Sequence, residues 1–440
     1  MKHSLSRFLS DYGMIFVLLL LCAFFSVVTN SEQSPTGEAA AKQVISAIQE
    51  QFGKTPRVLV AASDRPGDTA FAASIDRELT ASGAHVVAIV KGEPKDAREA
   101  LVKINAAGGK LDAIACTQAT GAWLVFSDLK TDFPALGEPR IVTPRGYRWP
   151  NFLKPDNLLN IANQIAVIAI VAIGMTMVIV TGGIDLSVGS LLALSAVLAA
   201  RFIRDFAGGV NATTSGMLLA CVAAIVLCGV VGAFSGAMIT QFSIPPFIVT
   251  LAMMLVGSGV AYILAEGQSI YQIPDSFVWL GRGADFISLP NAVVLMFILY
   301  ALAHILMSRM KLGRYLYAVG GNGEAARLSG VPVKPVLMFA YIASALLAGL
   351  GGVIMASQLK SGSATYGNMY ELYVIAAVVV GGTSLSGGEG KMLGTLTGAF
   401  TIAVIQNGMN LTNVESYTQK VVLGLVILGA VLVDKLRHAR

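Results

Sequence analysis

Charged side chains are scarce in this sequence. Asp, Glu, Lys and Arg make up 13% of its 440 residues, about half of their share in an average soluble protein. Hydrophobic residues make up 55%, and so few polar groups cannot cover that much apolar side chain in water. The composition therefore excludes a soluble enzyme, a disordered chain and a nucleic-acid-binding domain. It indicates a protein that crosses a membrane several times.

Cysteine and histidine are also rare, with four residues of each. The cysteines are Cys22, Cys116, Cys221 and Cys228, and they form no Cys-x-x-Cys pair. We therefore expect four small buried thiols, with no disulfide framework and no metal site. Because no His, Asp and Ser residues are grouped as in a catalytic centre, we predict no catalytic residue and no cofactor bound by this chain.

The charges that are present concentrate in one block. Residues 29–160 hold 15 of the 31 Lys and Arg residues and 15 of the 26 Asp and Glu residues. In this block, short apolar runs alternate with stretches of helical spacing, and these segments are 57–62, 68–82, 85–90, 95–107 and 112–116. This alternation predicts a small α/β domain with a parallel βαβαβ sheet.

Ten stretches are candidate membrane spans, although several fall short of the roughly 20 residues that a span needs. They are 14–28, 163–181, 186–203, 216–239, 247–265, 288–308, 336–356, 371–383, 392–409 and 420–434. The first resembles a signal peptide in length, but the spans that follow favour an uncleaved first span. We expect a mainly α-helical, polytopic bundle: residues 1–28 with the first span, 29–150 as the inserted α/β domain, and 151–440 with the other spans and a polar loop at 309–335.

Basic residues predict the orientation, because Lys and Arg accumulate in cytoplasmic segments. Ten spans place both termini on one side. If that side is the cytoplasm, the cytoplasmic segments hold eleven basic residues: Lys2, Arg7, Arg309, Lys311, Arg314, Arg327, Lys334, Lys391, Lys435, Arg437 and Arg440. The outer segments, apart from the polar block, hold five: Arg201, Arg204, Arg282, Lys360 and Lys420. We therefore expect cytoplasmic termini and an extracytoplasmic block.

The stretch GGIDLSVG at 182–189 interrupts two apolar runs. Irregular backbone inside a membrane survives only where protein or water satisfies it, so Gly182, Gly183, Asp185 and Ser187 are candidate pathway or structural residues. Asp185 could cap a helix that begins at Leu186 or contact a substrate or ion. GGTSLSGG at 381–388 matches this stretch at five of eight positions and suggests an internal repeat, as transporters often have.

Two further sets of residues are candidates. In the loop at 309–335, Asn322 and Gly330 are typical of the start and stop of a short helix outside the bilayer, and its other candidate residues are Glu324, Ala325, Ala326, Arg327 and Ser329. Polar residues inside spans are candidate pathway liners, although hydrogen bonds between helices explain them equally well; they include Gln164, Gln406, Asn407 and Asn410, and spacing favours the last two.

Three segments carry a family resemblance: GMTMVIVTGGIDLSVGS at 174–190, KLGRYLYAVGGNGEAARLSG at 311–330 and AAVVVGGTSLSGGEG at 376–390. They resemble the permease subunit of ribose-type monosaccharide importers of the ATP-binding-cassette class. The resemblance implies a bacterial inner-membrane subunit that imports a ribose-, xylose- or galactose-like sugar or a related polyol. It also implies a second permease subunit, identical or different, and a periplasmic solute-binding protein.

The same resemblance implies that the stretch 322–330 docks on a cytoplasmic ATPase subunit, which would use ATP and Mg²⁺. The letters LSGGE at 385–389 resemble the signature of such ATPases. This chain nevertheless lacks the GxxxxGK[ST] motif that a nucleotide site needs. We therefore predict a transport subunit without an ATPase site of its own.

The polar block resembles one lobe of a type I periplasmic sugar-binding protein, on RVLVAASDRPGD at 57–68 and the segments after it. Asp64, Arg65 and Asp68 follow the first strand, where such folds place ligand contacts. A solvated loop before a capped helix explains them as well. Alternative functions for the whole chain are an ion-coupled secondary transporter, a membrane sensor that uses the block as its receptor, and a membrane enzyme.

Overall fold

A computed structural model of the protein describes residues 2–53 and 55–438, with the side chains of residues 13–53 and 55–432. Five basic residues of the predicted orientation have side chains outside the described residues: Lys2, Arg7, Lys435, Arg437 and Arg440. The described residues fall into two compact units. Residues 30–149 form one, which we call the inserted unit, and the residues on either side of it form the other, which we call the helical unit.

The chain begins with a helix of the helical unit and continues into the inserted unit. The first helix is α1 (Lys2–Val28). The inserted unit then contains, in order, β1 (Asn30–Gln33), α2 (Gly37–Phe52), β2 (Arg57–Ala62), α3 (Pro66–Ala81), β3 (His85–Lys91), α4 (Pro94–Ala106), β4 (Ala113–Cys116), α5 (Gln118–Gly121), α6 (Leu129–Asp132), β5 (Arg140–Val142) and β6 (Tyr147–Pro150).

Four strands of the inserted unit form a parallel sheet in the order β3-β2-β4-β5. The central strand β2 is buried along Val58–Ala62, as expected for a parallel sheet that helices cover on both faces. Outside this sheet, β1 pairs with β6. The chain therefore enters and leaves the inserted unit at neighbouring points.

The helices of the inserted unit cover the sheet with fully buried side chains. Phe71, Ile75 and Leu79 of α3 are 0% exposed, on the face that their spacing predicts. The helix begins at Pro66 rather than at Asp68, because proline at a first helical position has its φ already set. The Cys116 thiol is buried in a second core on the other face of the sheet, and burial raises its pKa to about 12.

The helical unit continues after β6. Its helices are α7 (Pro155–Val180), α8 (Val188–Phe206), α9 (Thr214–Gln241), α10 (Pro246–Leu264), α11 (Trp279–Arg282), α12 (Asn291–Arg309), α13 (Lys311–Gly321), α14 (Gly323–Leu328), α15 (Val333–Leu359), α16 (Tyr370–Val380), α17 (Met392–Leu411) and α18 (Ser416–His438). The most apolar part of α7 is 89% buried, whereas that of α10 is 22% buried. Helix α7 is thus central, and α12, α15, α16 and α17 pack against it.

Each of the ten predicted spans overlaps one helix of this unit. Five helices in the part of the chain that the structure describes are long and apolar enough to cross a membrane: α7, α9, α10, α12 and α15. The count of ten spans therefore stays a prediction. The predicted span at 371–383 contains only α16, whose 11 residues extend for about 16 Å, because the helix ends at a glycine turn.

Small residues let the helices approach one another at backbone distance, as expected for membrane bundles. A Cβ atom on Gly232 of α9 would collide with Ala345 of α15, and one on Gly352 would collide with the Leu192 carbonyl of α8. A Cβ atom on Gly398 of α17 would likewise overlap α16. The glycine- and alanine-rich stretches are therefore the contact faces of the bundle.

We predict that Phe71→Ala makes the inserted unit sensitive to protease in membrane vesicles that contain the full chain. Deleting a fully buried aromatic side chain costs about 3–5 kcal/mol of stability. The control is Leu124→Ala, because Leu124 is 87% exposed and its loss removes little buried surface. Equal protease resistance of the two variants would contradict the core described above.

Candidate functional site

A short helix in the predicted polar loop is capped at both ends. The Asn322 side-chain oxygen accepts a hydrogen bond from the Ala325 backbone N–H at 2.9 Å, which is an N-cap. The helix α14 ends before Gly330, whose φ of +84° lies in the left-handed region that glycine adopts at low cost. The start and stop predicted from the sequence are therefore confirmed.

Most side chains of α14 point into solvent. Ala326 is buried against the bundle, whereas Ala325, Arg327 and Ser329 are exposed. The Arg327 guanidinium pairs with the Glu324 carboxylate at 3.0 Å, and both side chains are more than 60% exposed. Leu328 is 80% exposed and was missed in the sequence, although a leucine among polar loop residues is a usable signal.

The first helix break joins α7 to α8. Gly182 has a φ of +79°, and the Gly182 and Gly183 N–H groups donate to the carbonyls of Ile179 and Val178 at 2.8 and 3.1 Å. These bonds close the end of α7. The break therefore leaves few backbone groups without a partner, as an environment that excludes water requires.

Asp185 lies buried in this break, with 2% of its surface exposed. One carboxylate oxygen accepts hydrogen bonds from the Ser187 N–H at 3.0 Å and the Ser187 hydroxyl at 2.6 Å. The other accepts from the Ser344 hydroxyl of α15 at 2.8 Å. The predicted helix start at Leu186 is wrong, because α8 starts at Val188 with Ser187 at the N-cap position. The Asp185 carboxylate instead closes a turn on Ser187 just before the helix and bonds to α15.

The second helix break joins α16 to α17 and repeats the turn of the first. Gly382 has a φ of +86°. The Gly382 and Thr383 N–H groups donate to Val379 and Val378 at 2.9 and 3.1 Å, so each bond lies 200 residues after its counterpart. The backbone thus aligns Gly382 with Gly182, one position away from the alignment that the matching letters suggest. The LSGGE stretch is the remainder of this break.

The two breaks meet each other and the end of α13. The Gly388 N–H of the second break donates to the Val180 carbonyl, the last of α7, at 2.8 Å. Gly320 of α13 lies against both groups, and a Cβ atom on Gly320 would be 2.6 Å from the Gly388 nitrogen. The Tyr317 hydroxyl of α13 donates to the Gly390 carbonyl at 2.7 Å. We call Gly182, Gly320, Gly387 and Gly388 the glycine contact.

Asn407 and Asn410, which the sequence predicted as pathway residues, lie away from the glycine contact. The Asn407 and Asn157 side-chain amides exchange two hydrogen bonds, at 2.8 and 3.0 Å. Asn410 accepts a hydrogen bond from Gln419 of α18 at 2.8 Å. Because Asn157 lies in the first turn of α7, both asparagines lie at the end of the bundle opposite to the glycine contact, where they join helices.

A cavity of about 300 Å³ opens in the same half of the bundle as these asparagines. Its polar lining residues are Gln164 of α7, Gln358 of α15, Tyr370 of α16 and Gln406 of α17. The other lining residues are apolar: Ile165, Ile168, Met355, Leu359 and Ala403. None of the nine carries a charge. Gln358 was missed in the sequence because it lies beyond the predicted span at 336–356.

Of the polar residues predicted after β2, Asp68 is bonded within the inserted unit. Asp68 is 8% exposed and accepts a hydrogen bond from the Ser63 hydroxyl at 2.6 Å, which fixes the loop between β2 and α3. Asp64 and Arg65 are exposed in that loop. Among the described residues, no group of three or more His, Cys, Asp and Glu side chains is placed to hold a metal ion.

Comparison with known proteins identifies the family. The model of the family described as branched-chain amino acid transport system / permease component matches residues 157–431. The chain belongs to this family. The matched region of this permease lies within the helical unit and includes both helix breaks, α14 and the cavity.

The permease is similar to several curated sugar permeases. It is 43% identical over 289 residues to the ribose import permease protein of Escherichia coli (strain K12), which covers 65% of this chain and 87% of that protein. It is 42% identical over 292 residues to the ribose import permease protein of Bacillus subtilis (strain 168), and this match covers 66% of this chain and 88% of that protein. It is 34% identical over 285 residues to the D-allose transport system permease protein of Escherichia coli (strain K12), and this match covers 65% of this chain and 85% of that protein. No solved structure matches the chain.

We predict that Ser344→Ala destabilises the permease by about 1–3 kcal/mol, because it removes a donor from the buried Asp185 carboxylate. Ser308→Ala is the control, since the Ser308 hydroxyl donates to the His304 carbonyl on an exposed turn of α12. Thermal unfolding of the two variants in detergent measures the difference. Identical midpoints would show that the Asp185–Ser344 bond contributes nothing.

Proposed function

We propose that the permease is the membrane-spanning subunit of an ATP-driven importer for a monosaccharide (ribose-, xylose- or galactose-like) or a related polyol. The observation that carries the proposal is the extent of the family match, because residues 157–431 contain both the cavity and α14. The matched relatives are named for ribose and allose.

The chemistry of the cavity supports a neutral solute. A sugar presents hydroxyl groups that donate and accept hydrogen bonds, and each glutamine side-chain amide can do both. An amino acid would bring an ammonium and a carboxylate, which need charged or strongly polar partners when they leave water. Because no lining residue is charged, the cavity favours a polyol over the amino acids of the family description.

The exposure of Gln164 supports a second permease subunit. Gln164 is exposed on α7, a helix that is otherwise buried over most of its length. A glutamine within an apolar span faces other protein or a water-filled space rather than lipid. We propose that a second permease subunit, identical or different, closes the cavity and forms the pathway with it.

The exposed side of α14 supports docking of a cytoplasmic ATPase. Arg327 offers a planar set of donors, and arginine is enriched at protein interfaces. Leu328 would remove its apolar surface from water in such a contact. We propose that α14 docks on an ATPase subunit that binds ATP and Mg²⁺, with Asn322 and Gly330 holding the shape of the docked turn.

We also propose that the permease has ten spans with both termini in the cytoplasm. With that topology, α14 would lie on the cytoplasmic side, where the ATPase is, and residues 30–149 would lie outside the cytoplasm. A periplasmic solute-binding protein would then deliver the sugar, and the inserted unit would assist its docking. The experiment is uptake of labelled ribose by vesicles that contain the permease, the ATPase and the solute-binding protein. Uptake that persists without the ATPase and collapses with the proton gradient would favour an ion-coupled transporter instead.

We predict that Leu328→Ala lowers both the recovery of ATPase with the purified permease and the uptake of ribose by roughly threefold to tenfold. The reason is that the smaller side chain buries less apolar surface at the interface, which costs about 1–1.5 kcal/mol of binding free energy. Met310→Ala is the matched control, because Met310 is also exposed (51%) but lies between α12 and α13, outside α14. Equal recovery of ATPase with both variants would contradict docking on α14.

We also predict that Gln406→Leu lowers ribose uptake by roughly twofold to tenfold, because it removes one hydrogen bond to the sugar. The recovery of ATPase should not change, since Gln406 lies at the other end of the bundle from α14. The control is Gln268→Leu, at an exposed loop position outside the cavity. Uptake equal to that of the control would remove the cavity from the pathway.

A further inference from the structure

The helices on either side of α14 are each fastened to the helix breaks. Helix α13 precedes α14 and ends in the glycine contact. Helix α15 follows α14, and its Ser344 hydroxyl donates to the buried Asp185 carboxylate at 2.8 Å. A Cβ atom on Gly183 would collide with the Tyr341 hydroxyl of α15. A displacement of α14 would therefore move the first break through both of its neighbouring helices, α13 and α15.

The link through α13 consists of backbone. A Cβ atom on Gly320 would overlap the Val180 carbonyl oxygen and lie 2.8 Å from the Val180 carbonyl carbon. One on Gly387 would lie 2.9 Å from both the Gly182 nitrogen and the Gly320 oxygen. Close-packed interiors have low compressibility and transmit strain. Because no flexible side chain separates these segments, α13 cannot move without displacing both breaks.

The glycine contact also requires a rare backbone conformation. Gly387 and Gly388 have φ values of +83° and +77°, which side-chain-bearing residues seldom adopt. This turn brings the Gly388 N–H to the Val180 carbonyl, and a Cβ atom on Gly388 would be 2.9 Å from the Gly321 Cα atom. The second break is thus shaped to fit the end of α13 and the end of α7 together.

We propose that Gly320 is a positioning residue that transmits the movement of α14 to both helix breaks, so that ATP hydrolysis and solute passage are coupled through the glycine contact. The inference rests on the proposed function. It adds the path along which the movement travels: from α14 to the end of α13, and from there to the ends of α7 and α16. The two breaks share one turn geometry, and the same element displaces both.

The adjacent glycines Gly320 and Gly321 provide a matched pair of variants. A methyl group on Gly320 would collide with the two breaks, whereas one on Gly321 meets no atom within 4 Å. Both residues lie in the last turn of α13, so the two substitutions change helix propensity alike. The complete transporter, with the ATPase and the solute-binding protein, is reconstituted with each variant, and ribose uptake and ATP hydrolysis are measured together.

For Gly320→Ala we expect the ratio of ribose imported to ATP hydrolysed to fall by about tenfold, within the usual range of coupling between sites. ATP hydrolysis and the recovery of ATPase should stay near those of the unmodified transporter, because α14 itself is unchanged. Gly321→Ala should keep the original ratio. Equal ratios for the two variants would overturn the inference, as would a loss of ATPase recovery that is specific to Gly320→Ala.

A milder pair of variants serves if Gly320→Ala does not fold. Tyr317→Phe removes the hydrogen bond to the Gly390 carbonyl and keeps the ring, and it should lower the ratio of import to hydrolysis about twofold or more. Tyr315→Phe, on the same helix, is its control and should not change the ratio. Equal ratios for these two variants would overturn the inference. A failure of the unmodified transporter to import ribose would instead count against the proposed function.

Discussion

A helix that breaks inside a membrane bundle must find partners for its backbone groups where no water is available. This constraint shapes the centre of the permease. Each break closes with the same two backbone hydrogen bonds around a glycine of positive φ. The Val180 carbonyl, which a continuous helix would satisfy, receives the Gly388 N–H of the other break. Each break is therefore completed by the other, and together they hold the end of α13.

The cavity and the glycine contact lie at opposite ends of the same helices. Sixteen residues separate Gln164 from Val180, which corresponds to about 24 Å along α7. Helices α16 and α17 likewise meet at the second break and carry Tyr370 and Gln406 at their other ends. A tilt of these helices that starts at the breaks would therefore change the width of the cavity. Asp185 adds a further fixed point, because its carboxylate joins the first break to α15.

Local signals in the sequence were sufficient for much of this arrangement. Long apolar runs predicted the helices of the bundle, and short apolar runs between stretches of helical spacing predicted β2, β3 and β4. Asn322 and Gly330 predicted the ends of α14. Long-range contacts were not visible. The partner of the Asp185 carboxylate on α15 is Ser344, 159 residues away along the chain. The alignment of the two breaks depends on backbone hydrogen bonds rather than on matching letters. Gln358 became a candidate only once its neighbours in the cavity were known.

The ends of the helical unit that flank residues 30–149 are bonded to each other. The Asn151 N–H donates to the Thr29 carbonyl at 3.0 Å, and the Phe152 N–H donates to the Thr29 hydroxyl oxygen at 3.1 Å. The pairing of β1 with β6 brings the two ends of the inserted unit together in the same way. Because these chain ends lie side by side, a gene segment that encodes such a module can be gained, exchanged or lost during evolution with little change to the helical unit. For the same reason, this junction is a suitable place to insert a reporter domain.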